Sequence, residues 1–223
     1  MAFPFGETLY PMNSLVKNII LIICLVLLGC GESQTPRPAV SAGSTVLILG
    51  DSLSYGTGAT PEQAYPRLLE KSTGWRIVNE GIPGDTSSGG LQRLPALLEA
   101  HQPTLLILEL GGNDLLRNTP AKQVEENLKA IIQQAKSQGV QIALVAIPEI
   151  SPFMAAVGNL SDHPLYARVA EESSVPLIAD VFSDVLSDRA LKADQIHPNA
   201  LGYAEVAIKM QTALKRLGFI QAQ

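Results

Sequence analysis

Basic residues are scarce in this chain of 223 residues, with 16 Lys and Arg against 21 Asp and Glu and a net charge of −5. A chain so balanced lacks the basic face that nucleic-acid binding requires. Cysteine is nearly absent, and two residues, Cys24 and Cys30, cannot build a disulfide scaffold. No internal repeat is visible, and no apolar run is long enough to cross a bilayer, which takes ~20 residues. The longest run, IILIICLVLL, covers residues 19–28. What is present is an apolar share of 46%, ample for a packed core and too high for a disordered chain.

The apolar run fits the central region of a secretory signal, with Lys17 before it as the positive flank. Residues 1–11, MAFPFGETLYP, carry Glu7 and two prolines and suit no signal, so Met12 is the expected biological start. The run ends in Leu27-Leu28-Gly29-Cys30, which resembles a bacterial lipobox, with Leu28 bulkier than the residue usual at its place. That resemblance implies cleavage before Cys30 and a lipid on its thiol, with Cys24 discarded. Residues 31–44, GESQTPRPAVSAGS, read as a flexible tether. The expected organisation is therefore a signal over 1–29, a tether over 30–44 and one domain over 45–223. Gly31 stands where many inner-membrane lipoproteins carry Asp, so an extracytoplasmic chain anchored through its lipid is expected, at the outer membrane where the host has one.

From residue 45 short apolar runs alternate with helical patterns. The strand candidates are 45–50, 75–79, 104–110, 141–147 and 175–180, several of them continuously apolar as strands covered on both faces must be. Helices are predicted near 63–73, 87–101, 120–138, 164–174 and 199–217. Val124, Leu128, Ile131 and Ala135 share one helical face, and Ala207, Met210, Leu214 and Leu217 share another. Five β-then-α units predict an α/β domain of three layers, flavodoxin-like, with a five-stranded parallel sheet in the order 2-1-3-4-5. In such folds the chemistry sits in loops that leave the carboxyl ends of the strands.

The first strand candidate runs into Gly50-Asp51-Ser52-Leu53-Ser54. A Ser on a tight turn after a buried strand is placed to act as a nucleophile, and a helix N-cap is the plain alternative. Ser54 stands where the G-x-S-x-G elbow of α/β-hydrolases has Gly, so the motif is a different one. A serine needs a base, and three His are available. His197 in Asp194-Gln195-Ile196-His197-Pro198-Asn199 ranks first, because Asp194 three residues earlier can reach its ring and Pro198 fixes the turn. His163, beside Asp162 in a polar loop, ranks second. His101, at the end of a helix, ranks last. The third strand candidate ends in Gly111-Gly112-Asn113-Asp114, where Asn113 can offer N–H to a developing oxyanion or simply make a turn. Gly84 in Glu80-Gly81-Ile82-Pro83-Gly84 can present a backbone N–H or be a turn glycine. Asp51, Asp85 and Asp114 read as structural partners, and no metal-ligand cluster or cofactor motif is present. Glu109 lies in an apolar strand and calls for a local hydrogen-bond partner. Trp75 reads as core.

Taken together, GDSLS (50–54), GIPGDTS (81–87), GGND (111–114) and DQIHPN (194–199) make the chain similar to the SGNH (GDSL) hydrolases, over nearly all of 45–218. Within them it most resembles the bacterial acyl-CoA thioesterase, arylesterase and lysophospholipase branch. The resemblance implies Ser52 as nucleophile, His197 as base and Asp194 as its orienting carboxylate. Gly84, Asn113 and the Ser52 N–H would form an oxyanion hole, and no cofactor would be needed. The substrate expected is a small acyl ester, thioester or lysophospholipid. A carbohydrate O-acetylesterase and a non-catalytic binding lipoprotein are the alternatives. Phe153, Met154, Val157 and Leu160 in 148–164 are candidates for an acyl groove, or for a loop packed on the core.

Overall fold

The computed structural model describes residues 38–149 and 158–221. All of them belong to one compact unit, Arg37–Gln223, of the two into which the chain divides. The expected signal, Cys30, most of the expected tether, and Phe153, Met154 and Val157 lie outside the described residues.

Five strands form one parallel sheet: β1 (Thr45–Gly50), β2 (Arg76–Gly81), β3 (Leu105–Glu109), β4 (Gln141–Val145) and β5 (Leu177–Ile178). Their order is β2-β1-β3-β4-β5, as the alternating pattern predicts. β1 and β3 are buried at every position, which is why their sequences are apolar apart from Thr45 and Glu109. β2 is an edge strand with a half-buried pattern, and it runs on through polar Asn79 and Glu80. β5 is only two residues long, because Pro176 just before it brings no N–H to the ladder.

The helices are α1 (Ser52–Tyr55), α2 (Tyr65–Thr73), α3 (Ser87–His101), α4 (Gly112–Leu116), α5 (Ala121–Ser137), α6 (Leu165–Ser173), α7 (Val181–Ser187) and α8 (Ala200–Arg216). α3 packs on α5 and α5 on α6 in one layer, while α2 and α7 both pack on α8 in another. The face of α5 expected from spacing is the buried one: Val124, Leu128, Ile131 and Ala135 are all inaccessible. On α8, Ala207, Met210 and Leu214 are buried, and Leu217, just past the helix, packs partly buried against the core. Each fully buried leucine of this core stabilises by roughly 1.5–3 kcal/mol relative to exposure.

Trp75 is buried, and its indole N–H donates to the Val40 carbonyl at 3.0 Å. Val40 is itself buried and its N–H donates to the Phe219 carbonyl at 2.8 Å, so packed chain begins before Thr45.

The sheet register sets the site. Gly50 pairs with Gly81 on one side and with Glu109 on the other. The loops after β1, β2 and β3 therefore open at one level of one edge.

Candidate active site

The turn after β1 presents Ser52 as the first residue of α1. Asp51 caps that short helix, its Oδ1 accepting the Leu53 N–H at 2.9 Å. Across the chain, the segment before α8 brings up His197. Asp194 Oδ1 accepts the backbone N–H of Ile196 at 2.8 Å and of His197 at 2.9 Å, which folds the loop back on itself. Its Oδ2 lies 2.8 Å from His197 Nδ1, and His197 Nε2 lies 3.0 Å from Ser52 Oγ. A carboxylate on Nδ1 fixes the proton there, leaving Nε2 as an acceptor for the Ser52 hydroxyl proton. Burial pushes the Asp194 carboxyl up, but the Ile196 N–H, both hydrogen bonds from His197 and its charge outweigh that and hold it below the ordinary value.

Asn113 sits in α4, at the end of β3. Its Nδ2 donates to Asp51 Oδ2 at 2.9 Å, which fixes the amide and spends one of its two N–H bonds. Burial pushes the Asp51 carboxyl up to about 6, opposed by the Leu53 N–H, the hydrogen bond with Glu109, the His197 charge and the Asn113 amide. Gly84 occupies the third place of a turn closed by Asp85 N–H on the Ile82 carbonyl at 3.0 Å, after Pro83. Its φ of +80° is the left-handed value that a type II turn demands there and that favours glycine. The Arg117 guanidinium donates to the Gly84 carbonyl at 2.8 Å, tying this turn to the end of α4.

Two further residues lock the loops together. Asp114 accepts the Ser87 N–H at 2.7 Å and the Ser87 hydroxyl at 2.8 Å. Arg93 holds Asp85 at 2.9 Å and donates to the carbonyls of Glu80 at 2.7 Å and Gly50 at 3.1 Å. The three carboxylates read as structural partners, Asp51, Asp85 and Asp114, thus each hold a loop of the site.

Ser52, Asn113 and His197 line a shallow groove whose apolar walls are Leu116, Ile147 and Ile196. A cavity of about 160 Å³ adjoins it, sharing Gly112 and Leu116 and carrying Pro148 and His163 on its far side. Of the other two histidines, His163 accepts the Leu165 N–H at 3.2 Å through Nδ1 and does not reach Ser52, while His101 ends α3. Asp162, its neighbour, turns instead to the Asp180 N–H and the Ser183 hydroxyl, at 2.7 Å each. Leu160, a candidate for an acyl groove, is buried in the core instead, held by the hydrogen bond of its N–H to Ser187 Oγ at 2.9 Å.

The profile of the GDSL-like Lipase/Acylhydrolase family matches residues 48–205, which takes in every one of these loops. The chain belongs to that family. It is 39% identical over 164 residues to Thioesterase 1/protease 1/lysophospholipase L1 of Escherichia coli strain K12, covering 71% of this chain and 77% of that one. It is 32% identical over 186 residues to an arylesterase of Vibrio mimicus, covering 81% and 90%. Among solved structures, the psychrotrophic esterase EstA of Pseudoalteromonas sp., inhibited by monoethylphosphonate, superposes with a TM-score of 0.68 at 30% identity, covering 78% of this chain and 97% of that one. A GDSL hydrolase of this branch is a serine hydrolase of carboxylic esters, and that activity is this chain's at the level of the family.

What sequence reasoning missed is the layer behind the site. Asp51 was expected to be structural, but its grip on Asn113 was not read. Arg93 and Arg117 gave no signal, because their partners lie far off in sequence. Glu109 gave one: an acid inside a fully apolar strand.

Proposed function

We propose that Ser52 is the nucleophile of an esterase acting on small acyl esters and thioesters, lysophospholipids included. His197 serves as general base and then acid, and Asp194 orients it. Asn113 Nδ2–H and the backbone N–H groups of Ser52 and Gly84 stabilise the oxyanion. The observation that carries this reading is the continuous contact from Ser52 Oγ to His197 Nε2 at 3.0 Å and from His197 Nδ1 to Asp194 at 2.8 Å.

In the first step Ser52 Oγ bonds to the acyl carbon while its proton passes to His197 Nε2. The carbonyl oxygen becomes an oxyanion against the N–H donors. The bond to the leaving alcohol or thiol then breaks, and that group takes the proton from His197. Water, deprotonated by His197, attacks the acyl-Ser52 ester, and the acid leaves as the proton returns to Ser52. The fixed Asn113 amide costs no reorganisation when the charge develops, which is what makes such donors effective. The imidazolium formed at each step lies against Asp194.

The names of the relatives, thioesterase, lysophospholipase and arylesterase, support the substrate class. The N-terminal pattern ending at Cys30 supports a chain held at a membrane by lipid, outside the cytoplasm, and access to lysophospholipids fits that address.

The test is a rate profile of the 31–223 chain on aryl esters and acyl thioesters of rising length, on a lysophospholipid and on acetylated sugars, with Ser52→Ala alongside. Hydrolysis of the esters and thioesters that vanishes in Ser52→Ala supports the reading. Activity confined to acetylated sugars replaces the substrate class, and ester activity that survives in Ser52→Ala removes the nucleophile.

A further inference from the structure

Directly behind the nucleophile turn lies a carboxyl that the reaction above does not use. Glu109, the last residue of β3, is completely buried. Its Oε2 accepts the Ser54 N–H at 3.1 Å, the Ser54 hydroxyl at 2.6 Å and, more weakly, the Asp51 N–H at 3.3 Å. The Tyr65 hydroxyl, 2.7 Å from Ser54 Oγ, completes the chain by donating to it, since Ser54 has already given its proton to Glu109. Only glycine at position 50 allows this approach, because a Cβ there would stand 2.2 Å from Ser54 Oγ and 2.7 Å from Glu109 Oε2. The other oxygen, Oε1, is buried and meets no donor among the described residues. An anion there would be costly, whereas a protonated oxygen needs no donor.

The groups facing Glu109 point the same way. Burial first, then the charge of Asp51, raises its carboxyl well above the usual range. The phenols of Tyr65, Tyr166 and Tyr203 lie around it too, all pushed up by burial. His197 faces Asp51 from the loop before α8.

We propose that Glu109 is a positioning residue which, as a neutral carboxylic acid, clamps the 51–54 turn through Ser54. The pair then holds a single negative charge, on Asp51, and that charge aims the Asn113 amide. The proposal rests on the reading of Ser52 and Asn113 given above. It assigns the clamp to this chain's Glu109–Ser54–Tyr65 line, separate from the Asp194–His197–Ser52 line on the other side of the turn.

The experiment uses the wild type, Glu109→Gln and Glu109→Leu, with rates expressed per site titrated by a fluorophosphonate so that unfolded protein does not count. Glutamine presents one acceptor and one donor, as a protonated carboxyl does. Leucine presents neither. Glu109→Leu should lose about 10- to 100-fold in kcat with KM within about threefold, the scale of a reacting group misplaced by an ångström. Glu109→Gln should keep a kcat at least about tenfold above the leucine variant, rescuing most of the loss. An infrared difference spectrum of wild type minus Glu109→Gln in D2O at pH 8 should show the C=O band of a protonated carboxyl. A leucine variant as fast as wild type, a glutamine variant as slow as the leucine one, or no protonated-carboxyl band overturns the proposal. If Glu109→Leu does not fold, the band and the glutamine rate decide alone. The band does not depend on which serine reacts, so its absence sinks this inference without touching the functional reading, while a silent Ser52 sinks that reading with the band still present.

Discussion

Replacing Asp51 with Asn separates what the site costs in stability from what it contributes to rate. Asp51 is 3% exposed, and its carboxyl is raised from 3.8 to about 6, chiefly by burial. A carboxyl whose folded value lies above its unfolded one binds protons more tightly when folded. Its stabilising contribution is complete below pH 3.8 and is lost as pH rises through about 6. At ~1.36 kcal/mol per pH unit, the interval corresponds to roughly 3 kcal/mol, of which about 2.5 falls between pH 4 and pH 7.5. Urea unfolding at those two pH values should show the wild type losing roughly 2–3 kcal/mol more than Asp51→Asn on going to the higher pH. The same variant should be slow. Asp51 uses separate oxygens for the Leu53 N–H and for Asn113, and an amide has one oxygen, so Asn113 loses its anchor. A fall of about 10²–10³ in kcat, the worth of an oxyanion donor, is expected. Identical pH dependence of stability in the two proteins would refute the claim that a buried anion sits under the nucleophile turn.

Asn113→Ala should cost about 10²–10³ in kcat and leave measurable activity, because backbone donors remain; a kinetic assay showing less than about fivefold loss removes Asn113 from the oxyanion site. Gly84→Ala should destabilise by about 1–2 kcal/mol, through the left-handed backbone alone. A Cβ there meets only the Arg117 Nη2 at 3.4 Å, an ordinary contact, so thermal melts should show a lowered but cooperative transition. Cys30→Ser should move the protein from the detergent phase to the aqueous phase on Triton X-114 partitioning of cells expressing the full chain, and an unchanged distribution would contradict lipid anchoring at that residue.

The sheet was legible because β1 and β3 are buried at every position and β4 at all but Gln141, so that each carries an unbroken apolar stretch. The edges were less so. β2 was expected to stop at Asn79, but it continues to Gly81, because no residue of this edge strand is fully buried and polar side chains such as Asn79 and Glu80 are tolerated on either face. Residues 175–180 shrink to a two-residue β5, and α7 was not expected although Val181, Phe182, Val185 and Leu186 lie at helical spacing and are buried. Of the site, Ser52, His197 and Asp194 could be ranked from local context, since a nucleophile turn and a carboxylate three residues before a histidine are short-range patterns. Gly84 and Asn113 needed the resemblance or the register to become more than turn residues. The clamp of Glu109 on Ser54, the Arg117 tie to Gly84 and the Asp51 grip on Asn113 join residues 33 to 62 positions apart. Nothing local encodes such pairs, although Glu109 advertised a partner by being an acid among leucines. Of the hydrophobic candidates in 148–164, Leu160 lies in the core while Phe153, Met154 and Val157 lie outside the described residues, and Leu116, Ile147 and Ile196 are apolar walls of the groove.

The central claim is that Ser52 carries the acyl group and that His197 activates it. It is tested most directly by intact-protein and peptide mass spectrometry after reaction with a fluorophosphonate. The account predicts one adduct on the wild type, located at Ser52, none on Ser52→Ala, and labelling of His197→Ala slowed by several orders of magnitude, on the scale of ~10⁶ known for serine triads. An adduct of equal extent on wild type and Ser52→Ala would contradict it.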